Sequence, residues 1–262
     1  MKSLILIKLG GSVITDKNTP YTAKPEVIKR LAMEIKQAQE QTDSQFLLGN
    51  GAGSFGHVPA QEYCLIDAQT DEKSLEGVAL THNAVAQFNQ LVTSALLEQK
   101  INAVSISAAS CIEADKGEIS SFHLNPLLSF LSIKMVPVVY GDVVANGRGG
   151  YSVVSTDTLF SYLAKQLKKE YEVKKIIHVG TTDGVLDKEG KTISEIHHDT
   201  NLKEEVGGSE GIDVTGGMRF KVQQSQELAK EGIETWIIDG TREGELIRAV
   251  RGDSVHGTVI RK

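Results

Sequence analysis

Three glycine-containing stretches in this chain carry the residue types needed to hold anions. Lys8-Leu9-Gly10-Gly11-Ser12 puts a lysine just before two glycines. Gly51-Ala52-Gly53-Ser54-Phe55-Gly56-His57 ends three spaced glycines with a histidine. Thr215-Gly216-Gly217-Met218-Arg219-Phe220-Lys221 sets a lysine four residues after Gly217, on one face of a helix. Glycine lets a backbone turn sharply and aim its N–H groups at an anion. Lysine adds charge, and histidine adds a hydrogen-bonding ring. The pattern suits a protein that holds several phosphates at once.

Lys8 can neutralise charge developing on a transferred phosphoryl group, and Gly10 and Gly11 allow close backbone approach to it. The same residues also describe a plain strand-to-helix turn with a surface lysine. This first loop has neither the G-x-G-x-x-G spacing of dinucleotide loops nor the G-x-x-x-x-G-K-[ST] of P-loops. Lys17 reads on spacing alone as a solvated loop lysine; as a second cation near the phosphoryl it would fit a charge-stabilised transfer. His57 suits a hydrogen bond to an acceptor phosphate better than base catalysis, since a phosphate nucleophile needs no deprotonation at neutral pH. Its plainer role is packing against the next helix.

Further along, Gly141-Asp142 follows an apolar run, and Asp142 can hold its loop or position a lysine. Asp157, in Ser155-Thr156-Asp157, is equally a helix cap or a support of a nucleotide site. Asp183, in Thr181-Thr182-Asp183-Gly184-Val185, is a candidate for a ribose hydroxyl or a metal–nucleotide complex, although a D-G turn is common. Asp213-Val214-Thr215-Gly216-Gly217 precedes a helix whose N-terminal amides, with Lys221, make an anion site. His197 and His198 are neighbours in a polar stretch and read as surface. The basic pairs Lys168-Lys169 and Lys174-Lys175 read as a solvated helix end.

These loops need strands to hold them. Apolar runs at 4–7, 46–48, 103–107, 135–140, 176–179 and 235–238 read as strands. Helical patterns fill 25–41, 74–99, 124–131, 158–168 and a stretch starting at Gly217, with Pro25 suited to a first helical turn and Ser155 to a cap. Residues 143–144 and 152–154 read as a hairpin turned at 146–150, with Gly150 able to close over a substrate. Residues 111–120 read as a small excursion, and 254–260 as an edge strand. Strands apolar on both faces alternating with helices predict an α/β fold with an open, mostly parallel sheet covered on both sides. Ligands of such sheets bind beyond the carboxyl ends of the strands.

Composition narrows the class. The chain has 262 residues, 40% hydrophobic and 24% charged, which is ordinary for one large globular domain. Its 25 glycines exceed the roughly 7% background and sit at strand ends. A net charge of −6 disfavours general nucleic-acid binding. Two distant cysteines, Cys64 and Cys111, fit a reducing cytoplasm without a disulfide framework. No apolar run approaches a membrane span, and residues 1–8 do not resemble a signal peptide.

In order, K-x-G-G-S, G-x-G-S-F-G-H, G-D-V-V with its hairpin, T-D-G-V and D-V-T-G-G-M-x-x-K resemble the amino acid kinase superfamily, over nearly the whole chain. Within it the G-x-G-S-F-G-H loop is similar to that of the branch acting on isopentenyl phosphate; Ala52 stands where a glycine is common. The resemblance implies a three-layer αβα sandwich, a single domain over 1–262. Its N-lobe, about 1–175, would bind the phosphoacceptor, and its C-lobe, about 176–262, ATP. It implies that Lys8, Gly10, Gly11 and Ser12 form the transfer loop, and that Lys17 stabilises the transition state. Ala52, Gly53, His57 and Gly150 would surround the acceptor, and Asp183, Gly217 and Lys221 would serve the nucleotide. The implied reaction turns ATP and isopentenyl phosphate into ADP and isopentenyl diphosphate with Mg²⁺ held mainly by phosphates, in a homodimer. The 74–99 helix would supply a face of the alkenyl pocket, with Val78 and His82 as candidates. Rival readings are a kinase for another small acceptor such as fosfomycin, a non-catalytic sensor of the same fold, and a Rossmann oxidoreductase.

Overall fold

The computed structural model describes residues 1–201 and 216–262. The expected residues 213–215 of the third anion loop lie outside that set. The elements in the first half are β1 (Lys2–Leu9), α1 (Gly11–Ile14), α2 (Pro25–Glu40), β2 (Gln45–Asn50), α3 (Ser54–Glu62), α4 (Glu72–Glu98), β3 (Ala103–Ile106), α5 (Ala108–Cys111), β4 (Ile112–Asp115), β5 (Glu118–Phe122) and α6 (Asn125–Ser132). Then come β6 (Val136–Tyr140), β7 (Asp142–Ala145), β8 (Tyr151–Val154), α7 (Thr156–Leu167), β9 (Tyr171–Gly180), β10 (Val185–Leu186), β11 (Thr192–Ile193), β12 (Glu195–His197), α8 (Gly216–Lys230), β13 (Glu234–Asp239), α9 (Glu245–Arg251) and β14 (Gly257–Arg261).

One eight-stranded sheet runs β12-β14-β13-β9-β1-β2-β6-β3. Its neighbours are parallel except β13 against β14. Period-two alternation sorts β1 between two cores. Ile5, Ile7 and Leu9 face α2, α4 and α9, packing with Ile35, Phe88 and Ala249. Leu4 and Leu6 face α6, α7 and α8, packing with Leu127, Phe160 and Leu228. Each of these side chains is almost completely buried, a contribution of about 1.5–3 kcal/mol for a large aliphatic or aromatic group. Lys8 continues the Leu4/Leu6 alternation and so points to the α7 side of the sheet. The expected αβα sandwich is thus the observed one.

Local signals set the helix starts. Pro25 opens α2, Asp71 caps α4 by accepting from the Ser74 N–H at 2.8 Å, and Ser155 caps α7 by accepting from Thr158 N–H at 3.1 Å. A second sheet, β5-β4-β7-β8, stands over the carboxyl end of the main one. Its β7–β8 hairpin is the expected one, while the 111–120 excursion is a further antiparallel pair, β4–β5.

Several expectations are corrected. The last strand is not an edge: β14 is covered by β12 through Glu195↔Val259 to His197↔Arg261. The three-residue β12 is too short to announce itself by periodicity. Lys175 is not solvated: it is buried, its ammonium 4.3 Å from the Trp236 ring centre and donating to Ala249 O at 3.0 Å. Its place in a strand, not a helix end, turns it inward. α9, in a charged stretch, was not expected at all.

Candidate active site

The main cavity, about 690 Å³, opens at the carboxyl ends of β1, β2, β6 and β9. Its floor is made by crossing glycine loops. Gly10 N–H donates to Val179 O at 2.8 Å, and Gly51 N–H donates to Leu9 O at 2.8 Å. A Cβ on Gly51 would lie 2.7 Å from Gly11 N, and one on Gly11 would lie 2.5 Å from Gly53 Cα. The glycines of the first loop therefore meet other backbone, as well as facing the cavity. Thr15 locks the crossing: its hydroxyl donates to Gly11 O at 2.7 Å and accepts from Ser54 N–H at 3.2 Å.

The anion loop after β2 is shorter than the sequence suggested. α3 begins at Ser54, and His57 stands in its first turn, its N–H bonded to Gly53 O at 3.1 Å. Gly53 has φ +52°, which excludes most other residues there. Gly51, Gly53 and Gly56 do have G-x-G-x-x-G spacing, but the loop follows the second strand. The third glycine is fixed by packing, since a Cβ there would lie 2.5 Å from that of Ala52. His57 lines the cavity, and burial, then the charges of Lys17 and Lys8, lowers its ring below the ordinary 6.5, so it is neutral at pH 7.

Lys8 is buried and ion-paired with Asp157, which the first turn of α7 brings over the sheet. Burial lowers the Lys8 ammonium from 10.5 against the pull of Asp157, and Lys221 lowers it further. Burial alone would raise the Asp157 carboxyl; Lys8, His178 and Lys221 together hold it well below 3.8. Ser155 is the cap, so Asp157 is free to support the site. His178 was missed by the sequence reading: it pairs with Lys8 across β9 and β1, a polar residue in an apolar strand, and that break in pattern was its signal. Thr156 was missed too; its hydroxyl accepts from Gly141 N–H and donates to Asn50 O, both at 2.8 Å, tying three strand ends together.

Lys8, Gly10, Gly11, Ser12, Lys17, Ala52, Gly53, His57, Asp142, Asp157 and Lys221 all line this one cavity. Gly150, Asp183 and Gly217 do not. Gly150 closes the β7–β8 turn on Asn146, with bonds of 2.9 and 3.0 Å. Asp183 is held by Arg242 through two contacts of 3.1 Å. Gly217 lies in the first turn of α8, one turn before Lys221. Asp142 does not position a lysine: its carboxylate takes His82 Nδ1 at 2.9 Å and Val143 N–H at 2.8 Å, and burial raises it. His82 thus braces the hairpin, and Val78 packs beneath the hairpin with Leu65 and Val143, off the cavity wall. The apolar wall comes instead from Val58, Ala60, Val85, Val143 and Val153. His197 is exposed beside Glu195 at 3.2 Å, while His198, expected at the surface, is half-buried with its backbone N–H donating to Arg261 O at 2.9 Å; neither lines the cavity.

A site with cations, turn amides and a neutral histidine at one end and an aliphatic wall at the other can bind two phosphorylated molecules, one with an apolar tail. The family model for the amino acid kinase family matches residues 3–239. An isopentenyl phosphate kinase of Methanothermobacter thermautotrophicus is 37% identical over 98% of both chains. One from Methanocaldococcus jannaschii is 32% identical over 98% of both. A solved isopentenyl phosphate kinase structure superposes with a TM-score of 0.81 at 33% identity, covering 98% of this chain and all of that one.

Proposed function

The chain belongs to the amino acid kinase family, and we propose that it transfers the γ-phosphoryl group of ATP to isopentenyl phosphate, giving isopentenyl diphosphate for isoprenoid biosynthesis. The observation that carries this is the pairing of His57 and Lys8 with an aliphatic wall in a single cavity. A phosphate head needs the first, and a branched five-carbon tail needs the second. The similarity to isopentenyl phosphate kinases over nearly the full chain supports the same reading.

In this account His57, neutral in the free protein, donates a hydrogen bond to the acceptor phosphate and orients it. An acceptor phosphate oxygen attacks the γ-phosphorus in line; the P–O bond to ADP breaks, and its electrons leave on the β-phosphate. The acceptor is already anionic, so no base is needed; positioning and charge neutralisation dominate. Lys8, Lys17 and Lys221 offset the repulsion between two anions, and Gly10 and Gly11, lacking side chains, let the backbone come close to the phosphoryl group. Asp157 keeps the Lys8 ammonium at the wall. Ser12, Ala52 and Gly53 shape the same end; Asp183 and Gly217 adjoin the lining residues Thr182 and Met218 on the nucleotide side, and Gly150 lies in the hairpin turn.

Among the described residues no group of three or more His, Cys, Asp or Glu forms a cation cage, and Asp157 is taken up by Lys8. Magnesium would enter with the nucleotide as MgATP, held mainly by the phosphates. The N-terminal part, about 1–175, takes the acceptor and about 176–262 takes ATP. A homodimer in the cytoplasm completes the proposal. ³¹P NMR of MgATP with isopentenyl phosphate tests it: a new pair of coupled diphosphate resonances beside ADP is the expected result. ADP formed without them would replace the acceptor.

A further inference from the structure

His178 sits where the proposed reaction has no use for it. It lies in β9, in register with Lys8 on β1, and both side chains point to the α7 side of the sheet. It is buried, and it lines the cavity. Its Nδ1 is 3.3 Å from Asp157 Oδ1. Both atoms are buried, and among the described residues neither has a hydrogen-bond partner elsewhere; the 3.3 Å contact is the nearest polar neighbour each is given. The other carboxylate oxygen, Oδ2, is the one that takes Lys8. Two buried polar atoms with no alternative cost free energy unless they satisfy each other.

We infer that His178 is a positioning residue: it donates from Nδ1 to Asp157 Oδ1, fixes the carboxylate plane, and so sets where the Lys8 ammonium stands. Only the Nδ1–H tautomer can do this, since the ionised carboxylate accepts and does not donate. Burial, partly opposed by Asp157, lowers the ring to about 4, so it stays neutral while Lys8, Lys221 and Asp157 carry the charges around it. A neutral donor suits this place: a second cation beside Lys8 would compete for the same carboxylate, whereas a neutral imidazole steadies it without adding charge. The arrangement resembles a base oriented by a third group, with the order changed. Histidine orients the carboxylate, and the carboxylate orients the lysine that faces the phosphoryl group.

The inference rests on the phosphoryl-transfer reading, so its test has one arm that needs no substrate. In protein labelled with ¹⁵N in its imidazoles, His178 is expected to be neutral with its proton on Nδ1 at neutral pH, and its resonances should move in Asp157→Asn. An Nε2–H tautomer, or no response to Asp157→Asn, overturns the proposal. In the kinetic arm, His178→Phe keeps ring packing and removes the donor. It should lower kcat about tenfold or more with both KM values within about threefold, as small misplacement of a catalytic group does. His178→Asn, whose amide can stand near the Nδ1 position, should recover most of that loss. A Phe variant with unchanged kcat, or an Asn variant as impaired as Phe, overturns the positioning role. If isopentenyl phosphate is not turned over while the Nδ1–H tautomer is observed, the substrate reading fails and the His178–Asp157 bond stands.

Discussion

Replacing Gly11 by alanine tests whether the two glycine loops are held in backbone contact. A Cβ at Gly11 would lie 2.3 Å from Gly53 N and 2.5 Å from Gly53 Cα, against the 3.4 Å at which ordinary contact begins, a shortfall of 1.1 Å at the nearer atom. The neighbour is backbone in the turn before α3, fixed by Thr15 to the very carbonyl of Gly11, so no side chain can swing away. The loops must part by nearly that amount. Overpacking of this kind costs about 1–3 kcal/mol, and the immobile neighbour puts Gly11→Ala near the top, about 3 kcal/mol. For a domain of this size, that is a fall in Tm of about 6–12 °C. The larger effect falls on turnover. Parting the loops moves Lys8 relative to His57, and a displacement of about 1 Å can cost about 100-fold in rate. The assay is steady-state ADP release with a thermal melt on the same samples. Gly180→Ala is the control: it lies at the same sheet end, but its new methyl would meet nothing closer than 3.9 Å, so its Tm should stay within about 2 °C. A Gly11→Ala protein with kcat within about threefold and an unmoved Tm would mean that the two loops are not held in backbone contact.

Other substitutions probe other parts of the site. His57→Ala removes a hydrogen bond to a charged group, about 1.5–3 kcal/mol, and should raise the acceptor KM about 10- to 150-fold while ATP KM stays nearly constant; a change confined to ATP KM would move His57 to the nucleotide side. Lys8 is lowered from 10.5 by burial and raised by Asp157, so kcat/KM for ATP should fall on an alkaline limb below 10.5, as the ammonium is lost. Asp157→Asn removes the raising influence, so that limb should move to lower pH; movement to higher pH would contradict the ion pair. Ser155→Ala removes the cap of α7 and should cost about 1 kcal/mol, a Tm loss of about 2–4 °C; an unchanged melt would mean the cap is not used.

The sequence made the scaffold readable because its strands are apolar on both faces and two of its helices open on Pro25 and Ser155. The sheet, the β7–β8 hairpin and the cap at Ser155 all follow from those patterns. The anion loops were legible as glycine clusters, but their mutual contact was not: nothing in the chain says that Gly11 meets Gly53. His178 broke an apolar strand, but nothing local names the carboxylate it meets, and Lys175 was hidden because the Lys174-Lys175 pair read as a helix end when it lies in β9. Lys175 finds an aromatic face and a carbonyl, and His178 finds Asp157, and both partners lie far away in sequence. Asp142 was found, but its partner was not a lysine: His82 comes from the long α4, whose packing against β7 only the folded chain reveals.

The most direct measurement is ADP release from MgATP with isopentenyl phosphate, fosfomycin, N-acetylglutamate and uridylate offered side by side. The expected result is a kcat/KM for isopentenyl phosphate far above the other three. Equal or greater turnover of any other acceptor would contradict it.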